Sequence, residues 1–175
     1  MTRLLTLAAL PLVLGLGGCA HHHAMHQGMS HGQGHGSHAP TAPAQVNASS
    51  ATLPGGYTKV TAPAGAALYF INLKNGDTVS NPVKVQFGLT GMGVAPAGTE
   101  KAGTGHHHVL VDLAQLDVNA PLPADDRHRH FGAGQTETVL DLKPGAHTLQ
   151  LVLGDHNHIP HHPPVMSERI TIHVK

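Results

Sequence analysis

The chain has 175 residues, with ten Lys and Arg, ten Asp and Glu, 18 His and a single Cys. Acidic and basic side chains cancel at pH 7 when His is neutral, which argues against nucleic-acid binding because that function needs a basic surface. One Cys excludes a disulfide framework. The length suits one domain plus a tail, so the abundance of His is the feature to explain.

The first 18 residues have the pattern of an export signal. A short positive start containing Arg3 precedes an apolar run over residues 4–16. The run is too short for a permanent membrane-spanning helix, and it ends in small residues, as signal peptides do. Its end, Leu16-Gly17-Gly18-Cys19, resembles the lipobox of bacterial lipoproteins, in which the Cys thiol is acylated and becomes the first mature residue. We therefore predict a signal peptide over 1–18 and lipidation of Cys19.

This prediction has consequences for location and charge. Removal of the signal takes away Arg3, so nine basic residues remain against ten acidic ones, a formal charge of −1. No second hydrophobic span follows, so the lipid is expected to be the only membrane contact. Ala20 follows the Cys, and in lipoproteins a residue other than Asp there accompanies sorting to the outer membrane. We expect a cell-envelope protein anchored in the outer membrane and facing the periplasm.

Residues 19–56 are predicted to form a disordered tether. They show no apolar periodicity and offer little to bury, so ordering them would not offset its entropic cost. A flexible coil of about 37 residues reaches roughly 35 Å. The first part of the tether contains two Met and seven His, which are His21, His22, His23, His26, His31, His35 and His38.

These tail residues have the chemistry of a labile metal-binding segment. Imidazole binds Zn(II), Ni(II) and Cu, and the Met thioether favours Cu(I). Nothing in the tail pre-organises one geometry, so several weak sites are expected. Two alternatives stay open, namely a purification tag and low-complexity drift. A tag would not ordinarily follow a lipobox or interleave Met and Gly.

From residue 66 to residue 175 the pattern changes to short strands. Val83, Val85, Phe87 and Leu89 alternate with less apolar residues, the period of a half-buried strand. Gly and Pro separate such segments, and no helical periodicity is convincing. The further strands are predicted at 68–73, 106–113, 138–142, 147–153 and 168–174. This organisation predicts an all-β fold, a small antiparallel immunoglobulin-like β-sandwich.

One segment resembles a corner of immunoglobulin-like domains. There an aromatic residue, often Tyr, braces the turn into a late strand through its hydroxyl group. His147 occupies that place after Pro144-Gly145. We therefore predict a structural role for His147 and not a ligand role.

Nine other His of the domain fall into three clusters, at 106–108, at 128 and 130, and at 156–162. Residues i and i+2 of a strand share a face, so His106 with His108, and His128 with His130, can each direct two imidazoles at one point. A loop after Leu153 would bring further imidazoles to the same end of the sandwich. The predicted copper or zinc ligands are His106, His108, His128, His130, His158 and His161. The alternative is that these side chains bind loops by hydrogen bonds or lie on the surface.

Carboxylates often orient metal-binding His by accepting a hydrogen bond from the second ring nitrogen. Asp126, Asp155 and Glu137 stand close enough in sequence to the His clusters to be candidates for that role.

Short motifs occur over residues 68–174, at 69–71, 82–89, 91–94, 104–108, 121–126, 130–132, 134–137, 144–151, 154–158, 160–161 and 163–165. In these motifs the domain resembles a known family, the domain of unknown function 4399 (DUF4399), found in exported bacterial proteins. The family has no established activity, so the resemblance implies the domain and not its function. The tail, His156 and His162 lie outside the family pattern, so the resemblance lends no support to a site built on them.

Signatures of common enzyme classes are missing. The sequence has no Gly-x-Ser-x-Gly elbow, no phosphate-binding loop ending in Lys-Ser/Thr and no His-Glu-x-x-His. We therefore predict no enzymatic activity, although a bound metal ion can activate water.

Two functional hypotheses follow. The first is a periplasm-facing metal-binding lipoprotein, a chaperone, buffer or resistance factor for copper or zinc with a possible protein partner for metal transfer. The second is a non-metal envelope module that binds a protein or a glycan through the sandwich loops. Under the first, affinity should fall as pH drops through about 6.5, since metal needs neutral imidazole.

Overall fold

The computed structural model describes residues 51–175. The predictions for the signal peptide, for Cys19 and for the tail His lie outside these residues. Nine strands occur in the described part: β1 (Ala67–Phe70), β2 (Thr78–Val79), β3 (Val83–Thr90), β4 (Gly93–Val94), β5 (Thr104–Val111), β6 (His128–Phe131), β7 (Glu137–Leu140), β8 (Gly145–Gly154) and β9 (Ile170–Val174). Within residues 51–175 we find no helix long and apolar enough to cross a membrane.

The strands form two sheets, which confirms the predicted all-β fold. One sheet has the order β1-β3-β7, and the other has the order β2-β9-β8-β5-β4 with β6 also paired to β5. Most pairs are antiparallel, but β2 with β9 and β4 with β5 are parallel. The chain crosses from the three-stranded sheet to the other sheet before β2 and again before β4. Neither strand is joined to its partner by the tight hairpin turn that connects two antiparallel strands.

The core lies between the two sheets. In β3 the buried residues Val83, Val85 and Phe87 alternate with more exposed ones, as the sequence period predicts. They belong to the same core cluster as Leu149, Leu151 and Leu153 of β8 and residues of β9. Burial of each such side chain contributes about 1.5–3 kcal/mol, so this interior supplies the main stabilisation of the sandwich.

Strand β5 is buried along almost its whole length because both of its faces are covered. His107, Val109 and Val111 point into the core between the sheets, where the His107 ring lies 5.2 Å from the Phe87 ring. Residues of the other parity point outward, where Leu110 joins Leu122 and Val152 in a second apolar cluster. This outer face of β5 is the base of the site described below.

Residues 51–62 run along the domain. Thr52 and Thr58 form a bridge, and Thr61 bridges His162. The buried Lys59 donates from Nζ to the carbonyl oxygen of Val118 at 2.7 Å. The Tyr57 hydroxyl donates to Asp155 Oδ2 at 2.8 Å. Asp155 opens the loop that carries His158, so this segment contacts the neighbourhood of the site.

The corner before β8 is braced by His147. Its Nδ1 lies 2.7 Å from Asp112 Oδ2, and its Nε2 lies 2.8 Å from the carbonyl oxygen of Lys143. Burial alone lowers the pKa of His147, but the hydrogen bonds to Asp112 and Lys143 outweigh it, so the pKa is raised. Both ring nitrogens are engaged, which is the arrangement expected of a structural His.

Candidate metal centre

Two imidazoles of the site come from the outer face of β5. His106 and His108 are two residues apart, so the strand period directs both side chains to the same side. Both are fully buried. Their Nε2 atoms lie 3.0 Å apart. Two ligand nitrogens about 2.0–2.1 Å from one metal ion lie about 2.8–3.4 Å apart for angles between 90° and 110°, so the pair has the spacing of two ligands.

The third imidazole comes from β6, which pairs with β5 in the register His108 opposite His130. One nitrogen from each of His106, His108 and His130 lies within 4.8 Å of the other two. His130 is half-buried, because β6 is an edge strand. A Cβ on Gly132 would lie 2.3 Å from Cε1 and 2.5 Å from Nε2 of His130. The lack of a side chain at Gly132 therefore makes room for the ring.

A fourth imidazole, His158, comes from the hairpin of residues 154–160. Its ring centroid lies 4.8 Å from that of His130 and 4.9 Å from that of His106. The hairpin is held by Asp155, whose Oδ1 accepts the backbone N–H groups of Asn157 at 2.8 Å and Ile159 at 3.0 Å. Local hydrogen bonds therefore place His158 over the three other rings.

Burial keeps the two inner imidazoles neutral. Burial, with smaller contributions from His158 and His130, lowers the pKa of His106 to about 4 against the opposing effect of Asp155. Burial is also the main cause that lowers the pKa of His108 to about 2, again with a contribution from the neighbouring imidazoles. Burial also lowers the pKa of His130. A neutral imidazole has a free lone pair, which is the form that binds a metal ion.

Several buried nitrogens of these rings have no partner. Nδ1 of His106, Nδ1 of His108 and Nε2 of His130 make no hydrogen bond to any group in residues 51–175. Buried polar atoms are ordinarily paired, and an unpaired one costs about 1–3 kcal/mol. Only Nε2 of His130 is both unpaired and a candidate ligand atom, because the facing nitrogens of His106 and His108 are Nε2 and their unpaired nitrogens are Nδ1. The core residue His107 also has an unpaired nitrogen.

Two of the predicted ligands lie elsewhere. His128 shares the face of His130 in β6, but its Nδ1 lies 2.9 Å from Asp125 Oδ1 and holds that turn. His161 is fully buried, with Nδ1 3.3 Å from the carbonyl oxygen of Leu153 and Nε2 3.2 Å from that of Thr104. Local hydrogen bonds engage both rings, so the structure does not bring them into the cluster.

The predicted orienting carboxylates are also dispersed. Glu137 lies 3.2 Å from Lys84, and Asp126 lies 3.2 Å from Arg129, both away from the cluster. Only Asp155 stands at the site, where its charge acts on His106. It holds the hairpin through its backbone contacts and does not accept a hydrogen bond from a cluster imidazole.

Sequence reasoning did not identify the glycines that shape the site. A Cβ on Gly154 would lie 3.0 Å from Nε2 of His108 and 3.4 Å from Cα of His158. Gly132 has the same relation to His130. The available signal was a glycine one or two residues from a clustered His, where a ring needs space beside the backbone.

A cleft of about 700 Å³ adjoins the cluster between β6 and β7. His130 lines the cleft and also belongs to the cluster. The other polar lining residues are Asp125, Asp126, His128, Arg129, Thr138 and Asp141.

A family model described as "Domain of unknown function (DUF4399)" matches residues 85–175. The match begins in β3 and extends to the end of β9, so it includes all four imidazoles of the site. No curated protein and no solved structure matches the chain.

Proposed function

We propose that this chain, which belongs to the DUF4399 family, is a metal-binding protein of the cell envelope. The observation that carries the proposal is the convergence of His106, His108 and His130, whose nitrogens lie within 4.8 Å of one another. Two of the three are fully buried and neutral. Copper and zinc are the ions that such a set of neutral imidazoles suits.

The sequence outside the described residues supports a role in metal handling at a membrane surface. The lipobox at Cys19 would anchor the chain, and the seven tail His would capture metal ions weakly. The folded site would then hold an ion more firmly, because its ligands are fixed by two strands. We propose a chaperone, buffer or resistance factor on the periplasmic side of the outer membrane, which exchanges metal with a protein partner and catalyses no reaction.

Metal titration of the full-length chain tests the proposal. Metal ions bound by the tail would add to the bound metal measured per chain, so the seven tail His are first replaced by Ser. Zn(II), Cu(II) and Cu(I) are then added separately, with bound metal per chain and melting temperature as readouts. We expect one equivalent of a preferred ion and a rise in melting temperature, since binding to the native state at 100 times Kd stabilises by about 2.7 kcal/mol.

A pair of variants in β6 assigns the binding to the cluster. His130→Ala should remove the tight equivalent, whereas His128→Ala should keep it. Both residues lie in the same strand and on the same face, but only His130 reaches the other imidazoles. Absence of a stoichiometric ion in the tail-substituted parent would overturn the proposal. Equal loss in the two variants would remove the cluster as the site.

The cleft between β6 and β7 supports the second hypothesis, an envelope module that binds a protein or glycan. Its volume of about 700 Å³ suits a segment of a larger ligand, and its walls are largely polar. Thr138→Arg would fill this cleft from the β7 side. If that variant lost envelope partners while metal titration showed no binding in the parent, the interaction role would replace the metal role.

A further inference from the structure

The fourth imidazole changes what the site can do. We infer, on the basis of the proposed function, that His158 completes the coordination of the ion and that the bound ion is enclosed by four imidazoles. The occupant we assign is a divalent ion of tetrahedral preference, of the Zn(II) type.

The positions of the four rings carry this inference. For a tetrahedral ion with metal–nitrogen distances of about 2.0–2.1 Å, the centroids of two bound imidazoles lie about 5.2 Å apart. The centroid distances among the four rings are 4.9 Å for His106–His108, 5.1 Å for His106–His130, 4.9 Å for His106–His158, 5.1 Å for His108–His130, 6.0 Å for His108–His158 and 4.8 Å for His130–His158. Five of the six are close to the tetrahedral value, so the rings stand near the corners of a tetrahedron.

The group of three convergent nitrogens does not include His158. Its ring is nevertheless as close to His106 and His130 as those two are to each other. The inference therefore includes a rotation of the His158 side chain that directs a ring nitrogen at the ion.

The backbone at His158 is in a conformation that a side chain disfavours. Its φ is 64°, in the left-handed region that suits glycine. The surroundings hold it there, since the N–H of Leu122 donates to the His158 carbonyl oxygen at 2.8 Å. Residues held in sparsely populated backbone regions are concentrated at active sites and ligand-binding sites. A glycine would relieve the strain, but it would supply no imidazole.

Enclosure by four protein ligands has a chemical consequence. Catalytic zinc sites keep a coordination position for water or substrate, whereas sites with four protein ligands hold the ion and leave none. A four-imidazole site therefore stores or transfers its ion and does not activate water. Tetrahedral placement also favours Zn(II) over Cu(II) and Ni(II), which prefer square-planar or tetragonal sites.

Co(II) is the probe that tests this inference, because its visible absorption is strong when four-coordinate and weak when water raises the coordination number. The full-length chain with Ser in place of the seven tail His is compared with the same chain carrying His158→Gly. His156→Ala is the matched control, since His156 lies in the same hairpin and its imidazole is hydrogen-bonded to Asn157 and not to a ring of the cluster. We expect a strong tetrahedral spectrum in the parent and in the control.

In His158→Gly we expect weaker Co(II) binding and loss of the tetrahedral spectrum. Removing a residue that only hydrogen-bonds to a metal ligand lowers metal affinity by about 10–100-fold. Removing a ligand itself should lower the affinity by at least as much. The melting temperature of the metal-free variant should equal or exceed that of the parent, because glycine suits φ 64°. An unchanged spectrum and affinity would overturn the inference while leaving the three-imidazole site in place. Failure of the parent to bind Co(II) would overturn both.

Discussion

The imidazole cluster and the corner at His147 place the same residue type in opposite surroundings. At the corner both ring nitrogens have partners, a carboxylate of Asp112 and a carbonyl oxygen of Lys143. In the cluster the nearest polar neighbours of His106 and His108 are other imidazoles. The pKa of His147 is raised, whereas burial lowers the pKa of His106 to about 4 and that of His108 to about 2.

This difference separates a structural His from a proposed ligand. An imidazole with two acceptors is stabilised as a cation, and it strengthens the fold where it stands. Imidazoles packed against each other in a buried site are held neutral, because burial and the neighbouring rings both disfavour a positive charge there. The surroundings of a His therefore say more about its role than the number of His in the chain does.

The largest expected effect is acid sensitivity of the metal-free domain. Because His106 and His108 have folded-state pKa values below the unfolded value of about 6.5, the unfolded chain takes up protons first and stability falls as pH drops below 6.5. At pH 5.5 the two residues together should lower the free energy of unfolding by roughly 3 kcal/mol relative to pH 7.5.

Urea unfolding in the presence of a chelator, at pH 7.5 and 5.5, measures this effect. Replacing both His106 and His108 by Gln should reduce the pH dependence. Equal stability of the parent at the two pH values would contradict the assigned environment of the cluster.

Gly132→Ala should separate metal binding from stability. The added methyl group lies within about 2.5 Å of the His130 ring, and that ring can turn outward because it lies on an edge strand. We expect metal affinity to fall by about 10–100-fold and the free energy of unfolding to change by less than about 1 kcal/mol.

Gly93→Ala is the control for this substitution. Its methyl group would meet only Thr104 Cγ2, at an ordinary 3.5 Å. Isothermal titration and urea unfolding of both variants give the comparison. Unaltered metal binding in Gly132→Ala would mean that His130 is not a ligand.

The stability contributed by His147 at the corner before β8 should depend on pH in the opposite direction to that of the imidazole cluster. Because the folded-state pKa of His147 is raised, its stabilisation is full below the unfolded pKa of about 6.5 and is lost as pH rises through the folded pKa. His147→Gln should therefore cost about 1 kcal/mol at pH 6 and less at pH 9. Thermal unfolding at the two pH values measures this.

Asp112→Asn provides a second test of the corner. It removes the charge, and Asn tolerates the left-handed φ of 52° at this position. The variant should lose the same pH-dependent part of the stability as His147→Gln. A loss of equal size at both pH values in either variant would show that the imidazole acts there only by packing.

The smallest expected effect concerns metal affinity. An unperturbed imidazole predicts weaker binding below pH 6.5. The lowered pKa values of His106 and His108 remove that competition until the pH is near 4. The loss of affinity between pH 7.5 and 5.5 should therefore be smaller than unperturbed imidazoles would give, by about tenfold for each of these two rings. Competition with a chromophoric chelator measures the Kd, and a loss as large as that of unperturbed imidazoles at every ligand position would contradict the lowered pKa values of His106 and His108.

Much of the scaffold follows from local sequence pattern. Alternation of apolar residues predicts β3, and the same period predicts that His106 and His108 share a face. The resemblance to DUF4399 is confirmed by the family match. These features need only the two-residue period of a strand and short recognisable motifs, so a single sequence is sufficient for them.

Which of the remaining His side chains reach the cluster depends on contacts between residues far apart in the sequence. His130 reaches the cluster because β6 pairs with β5 in one register, and a shift by one residue would turn it to the other face. His128 has the same parity, yet Asp125, three residues earlier, engages its ring. His158 depends on a hairpin conformation held by Asp155. Spacing along the chain does not encode these contacts.

The central position of β5 has a consequence for hydrogen exchange. Its backbone pairs with β8 on one side and with β6 and β4 on the other, and both of its faces are covered. Amide protons there can reach solvent only when the whole sandwich opens, so their exchange rates report the global free energy of unfolding. Amide exchange in the strand that carries two of the proposed ligands therefore measures the stability of the whole domain. Ion binding should slow exchange along all of β5 by the same factor.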